Sequence, residues 1–463
     1  MAGQHAVIAQ HGFSDGQLGY VLIDLADGKM REHWQADEVF LPGSVLKLAT
    51  SLVAWRTLGP NFRFTTTLWR KDAALYLQGS GDPVLAATDL RDLARQLHAL
   101  QPPATWQSFY VDASAVTPGL EISPQQPLAA DYNPGYGALN VDFNRLALDW
   151  QVVSGSASYR LSSQADGFSV PVDWISLTRG PTDLPTGMPF LLAAPGSAVE
   201  PESWAYAADL SRAGLANSGG YFLPVKNADP MTARLFRAIA QQQGVNLPLP
   251  QPGVVPADAV MIARHESPAL SEMLAALLRY SNNLSAEMIG LAVDRKLGGA
   301  AATLSAATAR EMAWLQQALP QTDWQGFRMV NHSGLDGENR ATPRQITAVL
   351  QAIATDPALA ACLPALTVSD AEDATFANTP RVTGKSGTMD YAAGLAGLIT
   401  APNGHRFAFA VFIVDAAARA RLAAAFDPRI LHAASDGRAW TKRARELEAD
   451  LLQHWLRVSG SPP

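Results

Sequence analysis

Leu18-Gly19-Tyr20-Val21-Leu22-Ile23-Asp24-Leu25 is a run of β-favouring residues, and the reading of the chain works outward from it. Ala26-Asp27-Gly28 supplies a turn and residues 29–34 a second strand, so the chain opens with a hairpin. Pro42-Gly43 punctuates it before a helical segment from Ser44 to about Leu58. In that segment Leu48, Leu52 and Trp55 recur at helical spacing, and Gly59-Pro60 stops it. At the other end, residues 394–400 and 405–415 read as two strands joined by Ala401-Pro402-Asn403-Gly404, and a last amphipathic helix covers about 438–457. Strands at both ends with helices between them predict an α+β fold whose sheet is built from both chain ends.

The middle differs in texture. From about 66 to 261, short runs such as Ala74-Leu75-Tyr76-Leu77 and Tyr159-Arg160-Leu161 alternate with loops rich in Pro, Gly and Ser. We expect residues 1–65 plus 262–463 to form one discontinuous domain, and 66–261 to be a mostly β insertion long enough for two nested subdomains. Helices resume at Ser267-Pro268, read as an N-cap with Pro at the first helical position. Leu270, Leu274, Leu277 and Leu278 line one face, the pattern breaks at Tyr280-Ser281-Asn282-Asn283, and it resumes from Leu284 to about Leu297. The chain has no internal repeat.

Composition excludes several classes. The chain has 463 residues, enough for about three average domains. It is 48% hydrophobic and 17% charged, with a net charge of −7 and no basic stripe, which argues against nucleic acid as a partner. No apolar run approaches the roughly 20 residues of a membrane-spanning helix. The single cysteine, Cys362, sits in an apolar run and is expected as buried core. No H-E-x-x-H and no cysteine pair occur, so neither a metal nor another cofactor is expected. Residues 1–5 lack the basic and apolar stretches of a secretory signal, as a cytoplasmic protein or a mature form begun at a new Met would. Nothing in the sequence speaks to oligomeric state.

Three short stretches carry chemistry. In Ser44-Val45-Leu46-Lys47, residues three apart share a helical face, so the lysine amine can meet the serine hydroxyl. A hydroxyl is a weak nucleophile until a base takes its proton, and lysine serves only if burial or a nearby cation lowers its pKa. Seven lysines make one chance S-x-x-K match unremarkable on its own. Ser281-Asn282-Asn283 lies between two helices, where a hydroxyl can relay a proton and an amide can hold a peptide; a polar turn has the same look. Thr383-Gly384-Lys385-Ser386-Gly387-Thr388 puts a lysine among small residues on a strand. A phosphate-binding loop ending in Gly384-Lys385-Ser386 would need its first glycine at Thr379, which Pro380 follows, so that reading fails. Together the three give S-x-x-K, S-x-N and K-S-G, separated by 237 residues (281 − 44) and 104 residues (385 − 281). That trio is the signature of serine β-lactamases and penicillin-binding proteins.

The chain resembles the class C low-molecular-mass penicillin-binding proteins, the D-Ala-D-Ala carboxypeptidase/endopeptidase family, over nearly its whole length. The resemblance is carried by the trio, by Leu58-Gly59-Pro60-Asn61-Phe62-Arg63-Phe64 and Gly79-Ser80-Gly81-Asp82-Pro83-Val84-Leu85, by Tyr136-Gly137-Ala138-Leu139-Asn140-Val141-Asp142-Phe143-Asn144, by the flank Leu284-Ser285-Ala286-Glu287-Met288, and by Ser333-Gly334-Leu335. It implies a serine β-lactamase/transpeptidase-like domain, an antiparallel sheet flanked by helices, with a large insertion between the first two motifs. It implies that Ser44 is acylated, that Lys47 is its base, that Ser281 shuttles the proton, and that Asn283 binds the substrate amide. Lys385, Ser386 and Thr388 would hold the terminal carboxylate, with the backbone N–H groups of Ser44 and Thr388 as oxyanion hole. Asp131 would read the free amine of the stem-peptide diamino acid. The partners implied are peptidoglycan peptides ending in D-Ala-D-Ala and β-lactam antibiotics, and the place is the periplasm or outer cell surface.

Departures from the family pattern are Gly43 for Ala, Asn282 for Asp, Ser386 for Thr, and Asn331-His332 where Asp-Gly is usual. Tyr280-Ser281-Asn282 also spells the Y-x-N motif of class C β-lactamases and related esterases, so a related serine hydrolase is the alternative reading. A non-catalytic wall-binding protein is a third, against which the intact set of Ser44, Lys47, Ser281, Asn283 and Lys385 argues.

Overall fold

The computed structural model describes residues 10–100, 105–153, 156–165, 167–180, 190–197, 199–207, 216–366, 381–401, 403–425, 427 and 435–459. Residues 1–5, Thr379, Pro380 and Pro402 of the sequence reading lie outside the described residues.

The opening hairpin is β1 (Leu18–Asp24) and β2 (Met30–Trp34), antiparallel. All of β1 is buried, as a strand covered on both faces must be. A 3-10 turn (Gly43–Leu46) follows and leads into helix α1 (Lys47–Leu58). The α-helix thus starts three residues later than expected, and Ser44 sits on the tighter turn before it. Gly59, at φ 85°, ends α1 in a conformation that only glycine adopts without strain.

The middle of the chain supplies β3 (Thr65–Lys71), β4 (Ala74–Gly79), α2 (Ala87–Ala99), β5 (Ser108–Asp112), β6 (Arg145–Val153), β7 (Ser156–Ala165), β8 (Phe168–Pro171), β9 (Ser176–Arg179), β10 (Phe190–Ala194), β11 (Ser203–Tyr206), β12 (Ser218–Pro224), α3 (Ala228–Gln242), β13 (Pro250–Pro252) and β14 (Val260–Glu266). They form sheets ordered β13-β5-β4-β3-β14, β12-β6-β7-β8 and β10-β11-β9. The first and last of these strands pair antiparallel, with Thr65 opposite Glu266, so the chain leaves and returns at one point.

Next come α4 (Leu270–Tyr280), α5 (Asn283–Lys296), α6 (Leu304–Ala318), α7 (Pro343–Ala354), α8 (Pro357–Ala360), β15 (Arg381–Met389), β16 (Ala392–Thr400), β17 (Arg406–Val414), α9 (Ala416–Ala425) and α10 (Ser435–Ser459). The strands β15-β16-β17-β1-β2 make one antiparallel sheet, the one expected from both chain ends. On one face Ala396, Ala410 and Phe412 pack against Leu48 and Leu52 of α1, Leu274 of α4, Ile289 of α5 and Ile346 of α7. On the other, Tyr20, Phe409 and Val411 pack against Trp440, Leu447 and Trp455 of α10. Helices on both sides of an antiparallel sheet give the expected α+β class. Among the described residues no helix is long and apolar enough to cross a membrane.

One local expectation needs correction, and the mostly β middle region holds further elements. The middle region also holds two helices, α2 and α3, whose Leu90, Leu93, Leu235 and Phe236 share one core. Helix α2 begins without a side-chain cap at Ala86; instead the Asp89 carboxylate reaches back to accept from the Ala86 N–H at 2.8 Å, a weaker signal in sequence. Ser267 does not cap α4, which starts at Leu270. Its hydroxyl accepts from the Phe64 N–H at 2.9 Å and donates to the Pro268 carbonyl at 2.8 Å, tying together the two chain segments that flank the β3–β14 pair. Cys362 is buried, as expected.

Candidate active site

Lys47, the first residue of α1, has 0% exposure. Its Nζ donates to Ser44 Oγ at 2.9 Å, Asn283 Oδ1 at 2.9 Å and the Ser333 carbonyl at 2.8 Å. Three acceptors use all three ammonium hydrogens, or leave a neutral amine well placed to accept the serine proton. Burial, and then the cationic Lys385, push the Lys47 pKa well below the usual lysine range, while Glu287 pulls it back up. Desolvation disfavours the charged form, and a like charge adds to that effect.

Strand β15 lies against the Ser44 turn. A side chain at Gly387 would put its Cβ 2.8 Å from the Ser44 nitrogen and 2.7 Å from the Pro42 carbonyl, so only glycine permits this approach. Gly43 sits at φ 51°, which accounts physically for glycine there in place of Ala. Lys385 is buried, its Nζ donates to the Ser386 carbonyl at 2.7 Å, and burial lowers its pKa to about 8. Ser386 and Thr388 are exposed, and Arg445 of α10 donates to the Thr388 hydroxyl at 3.5 Å.

The outer edge of β15 is partly covered: Leu366 N–H donates to the Val382 carbonyl and Gly384 N–H to the Pro364 carbonyl. Backbone groups of an extended strand alternate sides. The next outward-facing groups after residues 382 and 384 are therefore those of Ser386 and Thr388.

The α4–α5 turn completes the cluster. Ser281 ends α4 in the left-handed conformation, φ 59°, a strain of about 1–2 kcal/mol for a residue with a side chain. Asn282 is the N-cap of α5, its Oδ1 accepting from the Ser285 N–H at 2.8 Å. Asn and Asp cap a helix about equally well, so that departure from the family pattern keeps the cap. Asn283 faces inward: it accepts from Lys47, and its Nδ2 donates to the Tyr132 carbonyl at 3.0 Å. Tyr280 points away, with 73% exposure.

Of the residues singled out in sequence, Ser44, Lys47 and Asn283 share one hydrogen-bonded cluster. Lys385 is close enough to act on Lys47 electrostatically, and Ser281 stands two residues before Asn283. Asp131 is half-exposed and accepts from Arg145 Nη1 at 3.3 Å, next to Tyr132, whose carbonyl accepts from Asn283. Sequence reasoning assigned no role to Tyr132 or Glu287. Glu287 lies four residues after Asn283, a spacing that puts both on one helical face and was the available signal.

The family model of D-Ala-D-Ala carboxypeptidase 3, the S13 peptidases, matches residues 4–154 and 216–429. A D-alanyl-D-alanine carboxypeptidase of Actinomadura sp. (strain R39) is 26% identical over 436 residues, covering 86% of this chain and 78% of that protein. Penicillin binding protein 4 of Haemophilus influenzae has a crystal structure matching this fold with TM-score 0.74 at 17% identity, covering 98% of this chain and all of that one (100%). Its complex with a novel β-lactam matches with TM-score 0.68, again at 17% identity, over 96% and 99% of the two chains. The family match spans well over half of the chain: the protein belongs to the D-Ala-D-Ala carboxypeptidase 3 (S13) family of peptidases.

Proposed function

We propose that the protein is a serine D-alanyl-D-alanine carboxypeptidase/endopeptidase that hydrolyses peptidoglycan stem peptides and cross-links through an acyl-enzyme on Ser44. The observation that carries this reading is the fully buried Lys47 amine 2.9 Å from the Ser44 hydroxyl, beside a second buried lysine that favours its neutral form.

Ser44 Oγ attacks the carbonyl carbon of the penultimate D-Ala while Lys47 takes its proton. The tetrahedral oxyanion rests on the N–H groups of Ser44 and Thr388. Support comes from the approach of Gly387 to the Ser44 nitrogen and from the outward-facing Thr388 backbone. The C–N bond then breaks, and Ser281 passes a proton to the leaving amine. Water hydrolyses the ester with Lys47 again as base. Asn283 orients the substrate amide, and Lys385, Ser386 and Thr388 bind the carboxylate. An extended peptide pairs along the open edge of β15. Asp131 is assigned the amine of the diamino acid; its neighbour Tyr132 contacts Asn283, which supports a position near the substrate.

β-Lactams present the same carbonyl and carboxylate and acylate Ser44. The substrate implies work outside the cytoplasm. Residues 1–65 plus 262–463 carry the chemistry and 66–261 form the insertion, a division supported by the Thr65–Glu266 pairing. The exposed Tyr280 speaks against the Y-x-N register and so against the β-lactamase or esterase alternative.

Intact-protein mass spectrometry after incubation with benzylpenicillin, beside Ser44→Ala, tests the proposal. A stable adduct of the drug's mass, absent from the variant, is expected. No adduct with the drug intact would overturn the proposal, and no adduct with the drug hydrolysed would favour the β-lactamase reading.

A further inference from the structure

Behind Lys47 lies a buried acidic group that the mechanism above does not use. Glu287 on α5 has 0% exposure, yet its two carboxylate oxygens are both occupied: Oε2 accepts from the His332 N–H and Oε1 from the Ser333 N–H, each at 2.9 Å. A carboxylate that spans two successive N–H groups fixes the plane of the peptide between them. The carbonyl of that same Ser333 receives the Lys47 amine at 2.8 Å, and the His332 carbonyl receives the Thr50 hydroxyl of α1 at 2.9 Å. Two successive residues of one loop are thus held from α5 on their donor side and from α1 on their acceptor side.

We propose that Glu287 is an ionised positioning residue for the Ser44 acylation step: it seats the Ser333 carbonyl on Lys47, and its negative charge sets the pH at which Lys47 becomes a base. The inference rests on the Ser44–Lys47 reading.

The charged surroundings are specific. Around Lys47 stand Lys385 from β15 and Glu287 from α5. Around Glu287 stand His332 of the loop and Tyr136 of the middle region. Behind His332, its Nδ1 bonds Glu311 Oε2 of α6 at 2.6 Å, and Asp294 of α5 adds negative charge. Burial pushes the Glu287 pKa up, while the imidazole of His332 and both backbone donors oppose this. His332 itself is held toward its charged form by Glu311 against its burial. The net direction of its pKa is upward, and what favours the ionised form against burial is the N–H donor on each oxygen together with the His332 imidazole. The ring is also what makes Gly290 obligatory, since a Cβ there would meet it at 2.1 Å.

The test is the pH dependence of the second-order rate of acylation by benzylpenicillin. Wild type first shows that Ser44 is acylated; failure there overturns the function, not this inference. In Glu287→Gln the loss of charge leaves Lys47 easier to deprotonate, so the acid limb moves down by about one pH unit. The rate at its plateau falls at least about tenfold, part of the 10²–10⁴ that a placed base contributes. Glu287→Asp keeps the charge with a shorter reach, so its rate falls with the acid limb unmoved. Thr50→Val, nearly isosteric, loosens the same loop without a charge change and gives the same pattern. It keeps the test open should the Glu287 variants not fold, because a Thr50→Val rate equal to wild type would overturn the positioning role. A Glu287→Gln profile lowered at every pH with its acid limb in place would overturn the electrostatic role.

Discussion

Two lysines in this molecule are buried to nearly the same degree and stand among different charges. Lys47, at the start of α1, has 0% exposure, and Lys226, between β12 and α3, has 1%. Lys226 Nζ donates to the Asn133 carbonyl at 2.6 Å and stands near the Glu202 carboxylate, whose pKa burial raises and Lys226 draws part of the way back down. That carboxylate also accepts from the Lys226 and Asn227 N–H groups, so an opposite charge is firmly held where the ammonium is. Around Lys47 a second lysine, Lys385, lowers its pKa against the pull of the Glu287 carboxylate, and its ligands are a hydroxyl, an amide and a carbonyl. Burial alone does not make a base. The balance of the charges fixed nearby sets how readily a buried amine gives up its proton.

Exchanging each lysine for methionine breaks the comparison most directly. Lys47→Met is expected to lower β-lactam acylation by about 10²–10⁴-fold, the contribution of a placed base, with thermal stability kept or raised. Lys226→Met is expected to leave the acylation rate of the folded protein unchanged and to lower stability by about 1–3 kcal/mol, because the Asn133 carbonyl loses its donor. Acylation kinetics and thermal melts of both variants read this out, and a melt drop in Lys47→Met equal to that of Lys226→Met would erase the distinction.

A smaller effect sharpens which groups work beside Lys47. Ser281→Ala is expected to slow peptide hydrolysis by about 10²-fold, whereas Tyr280→Phe, at an exposed ring, leaves it within about twofold. Steady-state rates of the two variants decide the register. Equal losses would move the proton relay to Tyr280.

The third test uses the charge that separates the two sites. Burial lowers the Lys385 pKa to about 8, and in the proposed function it is the charged form that binds the carboxylate. As pH rises through about 8 the cation is lost, so KM for a peptide with a free C-terminal carboxylate should rise while kcat changes less. The same peptide amidated at its C-terminus should show no such rise. Michaelis–Menten profiles between pH 6 and about 10 measure it.

Much of this was legible in the residues. The hairpin at the start and the strands at the end announced a sheet joined from both ends, because alternation and turn chemistry are local properties. The S-x-x-K spacing announced a shared face for Ser44 and Lys47 for the same reason. What misled was also local. Ser267-Pro268 has the look of a cap, but its hydroxyl is drawn to Phe64, about 200 residues away in sequence (267 − 64 = 203), and a single-sequence reading has no access to such a partner. Asp131 comes from the family resemblance; the Tyr132 carbonyl that accepts from Asn283 has no signal in the sequence, because a backbone group makes that bond whatever the side chain.

By itself, the sequence determined which chemical groups the protein has and which of them share a helix turn or a strand: the serine with its lysine, the serine with its asparagine, the lysine among small residues. Only the tertiary structure decided that the Lys47 amine has its pKa pushed well below the usual lysine range. That property depends on water being excluded and on which charges lie within a few ångströms, and in this chain those charges come from residues 240 and 338 positions away (287 − 47 and 385 − 47). Spacing along a chain fixes neighbours within one element; the dielectric surroundings and the sign of the local field exist only once α1, α5, the Ser333 loop and β15 have packed together.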